Sequence, residues 1–340
     1  STGGMYLFAD VADAATFYGR REAEIMTHAL MQRLKGKKNS WIGRVFLYIL
    51  LVDLFLVFVY PFLYMIVTSF KSYNDLIDSS VTWIINDFHY QNYTLAIELL
   101  EYPTKLFNTL SVAGLSTIGH IFSCSLAGYA FARYRYKYTT ILMFFVILSM
   151  IVPVQTLIVP SYLTFSNLGW LNTYLPLVAP TFFGFGLKGA IFIFLYRQFY
   201  LSLPHSLEEA AYIDGCGPIR TYLKIAFPSS SASTMVCAVL SVVWHWNDYF
   251  EPGMYLSDAK KFILPQVLPT LYNVLSSFTA VPGESGAAGM IGNVSDAKVL
   301  YNEALIMAAT VLVLLPLLIG YFIIQRWFME SVEHTGITGE

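Results

Sequence analysis

Charge is what this sequence has least of. Only 12% of its 340 residues are Asp, Glu, Lys or Arg, against about 25% in an average soluble domain. A chain so poor in charge cannot cover a water-exposed surface of its size, which excludes an ordinary soluble enzyme. The net charge of −2 argues against a nucleic-acid partner. Cysteine is scarce too. Cys124, Cys216 and Cys237 are odd in number and lack metal-site spacing, so neither a disulfide framework nor a cysteine metal centre is expected. They lie in or beside apolar helices and read as reduced packing residues. No Gly-x-x-x-x-Gly-Lys-Ser/Thr phosphate loop occurs. Gly215-Cys-Gly217 and Gly336-Ile-Thr-Gly339 lack the lysine and the preceding strand. This chain is therefore expected to bind no cofactor and to hydrolyse no ATP by itself. A cleavable signal peptide is not expected, because the first long apolar run begins after about forty residues. The absence of an internal repeat and of a His/Asp/Glu cluster at one membrane face argues against an ion-coupled secondary transporter and against a polytopic membrane enzyme.

What the chain has in excess is apolar residues, 56% of the total with 16% aromatic and a mean hydropathy of +0.57. They gather in blocks. A helix needs roughly 20 apolar residues to cross a bilayer, and six segments qualify: Val45–Phe70, Leu106–Ala132, Thr140–Phe165, Tyr174–Phe199, Ala232–Leu256 and Ala304–Trp327. Their continuous rather than alternating character excludes a β-barrel. The expected architecture is an all-α membrane protein of six transmembrane helices. Residues 1–43 form an N-terminal segment, 44–330 the membrane domain and 331–340 a C-terminal tail. Basic residues orient it. Arg20, Arg21, Arg33, Lys35, Lys37, Lys38 and Arg44 precede the first block; Arg133, Arg135 and Lys137 follow the second; Arg197, Arg220 and Lys224 follow the fourth. The positive-inside rule then puts both termini in the cytoplasm. On the other side lie 71–103, with acids Asp75, Asp78, Asp87, Glu98 and Glu101, and the long segment 252–302, with Gly283, Gly286, Gly289 and Gly292. Within the latter, Phe262–Phe278 is short for a span and reads as a re-entrant or interfacial helix.

One inner connection, 202–228, differs from the rest. Pro204 and Ser206 can start a short helix, with Glu208 and Glu209 in its first turn where the helix dipole favours acids. Asp214-Gly215 ends it, Pro218 begins a second helix and Pro228 closes that one. The expected result is a rigid two-part knob with small Ala210 and Ala211 on its surface. The spaced string Glu209, Ala210, Ala211, Gly215, Ile225 and Pro228, with Asp214, resembles the EAA loop of ATP-binding-cassette (ABC) importer permeases. The segments 108–110, 126–133, 150–160, 172–174 and 246–248 are similar to further motifs of the carbohydrate-importing, maltose-permease (MalG-like) branch of that family. The likeness runs from about residue 45 to residue 330. The tail 333–340 matches the family's end only loosely, and residues 1–40 have no counterpart.

The resemblance implies a type I ABC-importer permease fold in a bacterial inner membrane. It implies a paralogous permease partner, two ABC ATPase subunits that bind ATP and Mg, and an extracytoplasmic solute-binding protein. Glu208, Glu209, Ala210, Ala211, Asp214, Gly215, Ile225 and Pro228 would form the ATPase-coupling loop. The cargo would be a sugar or oligosaccharide, with a non-sugar solute as the alternative. For sugar contact the candidates are Trp244, His245, Trp246, Asn247, Asp248 and Tyr249. They combine flat apolar faces with polar groups that do not face lipid cheaply. Interhelical packing is the competing reading for each, as it is for Asp53, His120 and Lys188. Were His245 and Lys188 to share one cavity, an acidic saccharide would become plausible. Pro153, Pro160, Pro176 and Pro180 remove backbone hydrogen bonds, and either open a cavity at mid-depth or serve packing.

Overall fold

The computed structural model describes residues 41–134, 136–186, 188–280 and 302–337. Apart from one isolated antiparallel bridge, Lys71 with Phe88, its regular structure among the described residues is helical. The chain divides into two compact units at Tyr64. The described part of the first is the apolar helix α1, Trp41–Ser69, whose last turn lies in the second unit. The second unit continues with α2 (Tyr73–Ile77), α3 (Gln91–Leu99) and the 32-residue α4 (Tyr102–Arg133). Then follow α5 (Thr139–Ile151), α6 (Val154–Asn167), α7 (Leu175–Val178) with a 3-10 turn (Ala179–Phe183), and α8 (Gly189–Ser202). The connection 202–228 holds α9 (His205–Ile213), α10 (Pro218–Thr221), a π turn (Tyr222–Ala226) and α11 (Phe227–Ser229). The chain ends in α12 (Ser231–Asn247), α13 (Phe250–Tyr255), α14 (Leu264–Ala280) and α15 (Glu303–Ile337).

Among the described residues three helices are long and apolar enough to cross a membrane: Gly43–Ser69, Tyr102–Arg133 and Glu303–Arg326. They coincide with the first, second and sixth expected spans. The others are broken. The third turns through 102° between α5 and α6, because Pro153 cannot continue the ladder and Val152 before it is driven to extended backbone, ψ 118°. The fourth, expected as Tyr174–Phe199, is interrupted by Gly184 and Gly186, both at positive φ, so that α8 has only 14 residues. The fifth stops at Asn247 rather than Leu256, and its helix meets the preceding segment Pro218–Ser229 at 74°. Counting each bent pair as one span gives up to five among the described residues, with the fourth expected span broken by its glycines. The helix expected at Phe262–Phe278 is α14. The glycines 283, 286, 289 and 292, most of the N-terminal segment and residues 338–340 lie outside the described residues.

Helix α4 is the centre of the second unit. On one side Cys124 and Tyr129 pack with Phe192, Tyr196 and Tyr200 of α8, Tyr222 and Ala226 of the π turn, and Cys237 of α12. A second cluster joins α3, α12, α14 and α15 through Leu100, Trp246, Leu264, Leu305 and Leu312. Cys124 and Cys237 are buried free thiols. At the Tyr102 end, side chains grip irregular backbone. Asn108 donates to the carbonyls of Lys260 and Phe262 at 3.0 and 3.1 Å, and Thr109 Oγ1 accepts from Leu264 N at 2.9 Å. Buried Lys105 donates to Glu101 at 3.1 Å and to the Ala259 carbonyl. Asn172, at φ 58°, accepts from Ser257 N and Asp258 N and donates its own N–H to the Tyr255 carbonyl at 2.8 Å. These bonds supply partners that helix or sheet would otherwise provide.

Helices α4 and α8 approach closely at Gly128. A Cβ there would stand 2.6 Å from Tyr196 Cβ and 2.9 Å from the Arg197 amide, whereas one at Gly114 meets nothing within 4 Å. Gly128→Ala should therefore cost about 1–3 kcal/mol through overpacking. Gly114→Ala on the same helix should be neutral or slightly stabilising. Thermal unfolding of the two variants in the assembled protein checks the contrast, and equal melting temperatures would contradict it.

Candidate functional site

The connection 202–228 folds as a knob because its sequence contains both kinds of helix punctuation. Helix α9 ends at Asp214, and Gly215 takes the left-handed conformation, φ 79°, that lets its amide reach the Tyr212 carbonyl and the Cys216 amide reach Ala211. Pro218 opens α10 at a position whose N–H needs no partner. The π turn before Pro228 has a local cause. A proline ring presses on the carbonyl four residues back, here Lys224, and the wider turn makes room. Ser229 Oγ donates to the Ile225 carbonyl at 2.7 Å. The turn is docked by its tyrosine: Tyr222 Oη donates to Ser125 Oγ at 3.0 Å, which also meets Tyr200 Oη at 2.7 Å.

The first half is held differently. Arg133, the last residue of α4, lays its guanidinium under α9. Its Nε donates to Glu208 Oε1 at 2.7 Å, with side chains only 3% and 7% exposed. Its Nη2 donates to the Leu203 carbonyl at 2.7 Å and Nη1 lies 3.2 Å from His205 Nε2. Glu208 therefore points into the protein, and Glu209, Ala210, Asp214 and Gly215 face out. Ala211 is 3% exposed, so the expectation of two surface alanines is corrected to one. It packs inward because it lies three residues, nearly one turn, after Glu208. Ile225 is half-buried and Pro228 exposed. Partial burial beside the clamp, with Tyr212 and Glu208 nearby, raises the Tyr134 phenol above its usual range.

The six aromatic and polar candidates of 244–249 separate. Trp246 is core, 3% exposed, its indole N–H donating to the Val313 carbonyl at 3.2 Å. His245 is buried 5.3 Å from the His120 ring and donates Nδ1–H to the Ser241 carbonyl at 2.8 Å. Asn247 is exposed and bonded to its own helix at Val243. Asp248 Oδ1 accepts from the amides of Phe250 and Glu251 at 3.0 and 3.3 Å, capping α13. Tyr249 is 59% exposed. Of the six, only Asp248 lines the polar cavity, about 250 Å³, that opens at the α5–α6 break among Val152, Gln155, Lys188, Phe250 and Glu251. Lys188 stands 6.0 Å over the Trp244 ring at φ 64°. His245 is not among the lining residues, so the condition set for an acidic cargo is unmet. Glu251 and Gln155 escaped the sequence reading. Glu251 lies one helical step beyond the aromatic run, and the Pro153 break beside Gln155 was the available signal.

Among the described residues no group of three His, Cys, Asp or Glu side chains is placed to hold a metal. The family model described as binding-protein-dependent transport system inner membrane component matches residues 124–334. The sn-glycerol-3-phosphate transport system permease protein UgpE of Yersinia enterocolitica is 31% identical, over 67% of this chain and 71% of its own length. A probable ABC transporter permease protein of Pyrococcus horikoshii is 29% identical, over 80% of this chain and 90% of its own. A solved chain from a bacterial ABC transporter involved in the import of the acidic polysaccharide alginate superposes with a TM-score of 0.67, at 23% identity, covering 85% of this chain and 98% of that one. At that identity the likeness is one of fold.

Removing one member of a buried ion pair costs about 3–5 kcal/mol, while replacing both with apolar residues of like volume is often neutral. Arg133→Met should accordingly destabilise the protein and expose the knob to protease at Arg220 and Lys224. Adding Glu208→Leu should restore much of the loss. A double variant no better than the single one would show that the clamp is not the connection's support.

Proposed function

This chain belongs to the family of binding-protein-dependent transport system inner membrane components, and from that premise we propose how it works. As a membrane permease subunit of an ABC importer it supplies the translocation path, and energy comes from partner ATPases that bind ATP and Mg. The knob 202–228 is their docking element. Glu209 offers the charge, Ala210 allows close approach, and Asp214 and Gly215 form the bend. Ile225 and Pro228 complete the second arm, and Glu208 acts from inside by holding the first. The observation that carries this reading is the contrast between neighbours: Glu208 is locked by Arg133 at 2.7 Å, leaving Glu209 exposed on a rigidly held surface. A rigid handle is what a mechanical partner needs, since a loose loop would absorb the motion of nucleotide closure instead of transmitting it.

The remaining parts follow from this placement. The knob end faces the cytoplasm, in keeping with Arg133, Arg220 and Lys224 there; both termini share that side of a bacterial inner membrane. The gripped backbone at the opposite end, around Asn108 and Asn172, presents the surface for an extracytoplasmic solute-binding protein. A paralogous permease completes the pathway. The cargo is a sugar or a related polyol, a class that the motifs at 126–133 and 150–160 support, and one relative is named for sn-glycerol-3-phosphate transport.

Charge reversal separates docking from folding. Glu209→Lys, a surface change, should leave stability within about 0.5 kcal/mol yet abolish co-purification of the ATPase and ATP-driven uptake. Gly215→Val should lose both as well, since a β-branched residue resists φ 79°, while Gly217→Ala, at φ −76°, should keep them. Full uptake by Glu209→Lys would refute the docking assignment.

A further inference from the structure

Resting on the permease reading, we infer that the cavity at the α5–α6 break is a cargo subsite built for uncharged polyhydroxyl compounds and closed to anions. Three helix interruptions converge there. Val152-Pro153 separates α5 from α6, Lys188 begins α8 after the Gly184–Gly186 break, and Asp248 separates α12 from α13. Each interruption leaves backbone groups without helical partners. In a membrane such backbone is tolerated only where protein buries it or where it lines a water-filled path. The cavity of about 250 Å³ on which they open has the mixed lining that a sugar needs. Phe250 and Val152 supply apolar surface for ring C–H faces, and Gln155 can both donate and accept. Asp248 engages the α13 amides through Oδ1, so its other oxygen remains to accept a hydroxyl proton, as the Glu251 carboxylate also can.

The charges decide the class. Two carboxylates, Asp248 and Glu251, face the cavity, with one ammonium, Lys188. Lys188 also lies 6.0 Å over the Trp244 ring. With all three groups ionised, the formal sum on the walls is negative. A phosphate or uronate entering would meet like charge in a low-dielectric setting, where repulsion is weakly screened. A neutral sugar meets acceptors and a flat apolar face. This sets the chain apart from its relative named for sn-glycerol-3-phosphate and from its structural neighbour in alginate import, whose named cargoes are anions.

Two measurements on the assembled importer test this. Val152→Cys, with Gln155→Cys as a second reporter and Cys216→Ser to remove the half-buried native thiol, is labelled with neutral, cationic and anionic methanethiosulfonates. Rates are normalised to those with a small free thiol. The neutral and cationic reagents should react about ten-fold faster than the anionic one, the scale on which charged clefts bias encounter. Asp248→Asn with Glu251→Gln should erase the difference. In proteoliposomes sn-glycerol 3-phosphate should show no ATP-dependent uptake. Equal or faster anionic labelling, no labelling at either site, or ATP-driven uptake of sn-glycerol 3-phosphate overturns the inference. ATPase co-purification from the same preparation keeps the two claims apart: if it persists while selectivity is absent, only the subsite fails, and if it is lost from the unsubstituted chain, the permease reading itself fails.

Discussion

The guanidinium of Arg133 sits where the longest core helix ends and the exposed connection begins, and it answers three needs of that junction at once. It neutralises Glu208, satisfies the Leu203 carbonyl left over after α8, and lies against His205 at the start of α9. An ion pair so buried contributes little net stability, since desolvation consumes most of its Coulomb energy. Its value lies in direction. Apolar contacts alone would let a nine-residue helix slide or roll over α4. A planar guanidinium fixed at one point, with one carboxylate and one carbonyl as partners, permits few orientations. The outward face of α9 is therefore set by an inward interaction.

That constraint extends along α4. Helix α4 has 32 residues, about 48 Å at the usual rise. At its far end Lys105, Asn108 and Thr109 hold the backbone of 259–264. In between, Gly128 brings it against α8. A torque on the knob would thus act on a stiff rod whose other end grips the backbone of 259–264. Packed interiors shift between discrete arrangements rather than deforming smoothly, so such a rod conveys displacement where a chain of loops would dissipate it.

How much of this the sequence disclosed depends on what hydropathy can register. Helices α1, α4 and α15 were legible because their apolar runs are continuous and their boundaries are marked by charge or proline. Pro153 marked the first break, though not its 102° angle; those at Gly184–Lys188 and Asp248 were not read as breaks, because a window of apolar residues records composition and is blind to direction. A right-angle turn at Pro153 leaves the average unchanged. The knob was legible through Gly215, Pro218 and Pro228, each a local conformational constraint. The division of labour between Glu208 and Glu209 was not. Adjacent helical residues point about 100° apart, and which one faces inward is decided by a residue 75 positions away. Ala211 was misread for the same reason, whereas for Trp246 the packing alternative is the one the structure shows, through a carbonyl on α15.

The broken helices also explain why polar and charged side chains could be afforded at depth. A continuous helix saturates its own backbone and presents only side chains, so a lone Asp or Glu on it would need a partner from elsewhere. Where a helix stops, its terminal amides become donors, and Asp248 uses two of them at the start of α13. The break thus stabilises the carboxylate, and the carboxylate caps the break. Lys188 is held comparably, as the left-handed residue that opens α8 with its cation over an indole. Interruption of helices and a mixed-charge cavity are consequently one structural feature. A substitution that healed the break at Pro153 would remove not only a kink but also the geometry that makes the surrounding charges tolerable.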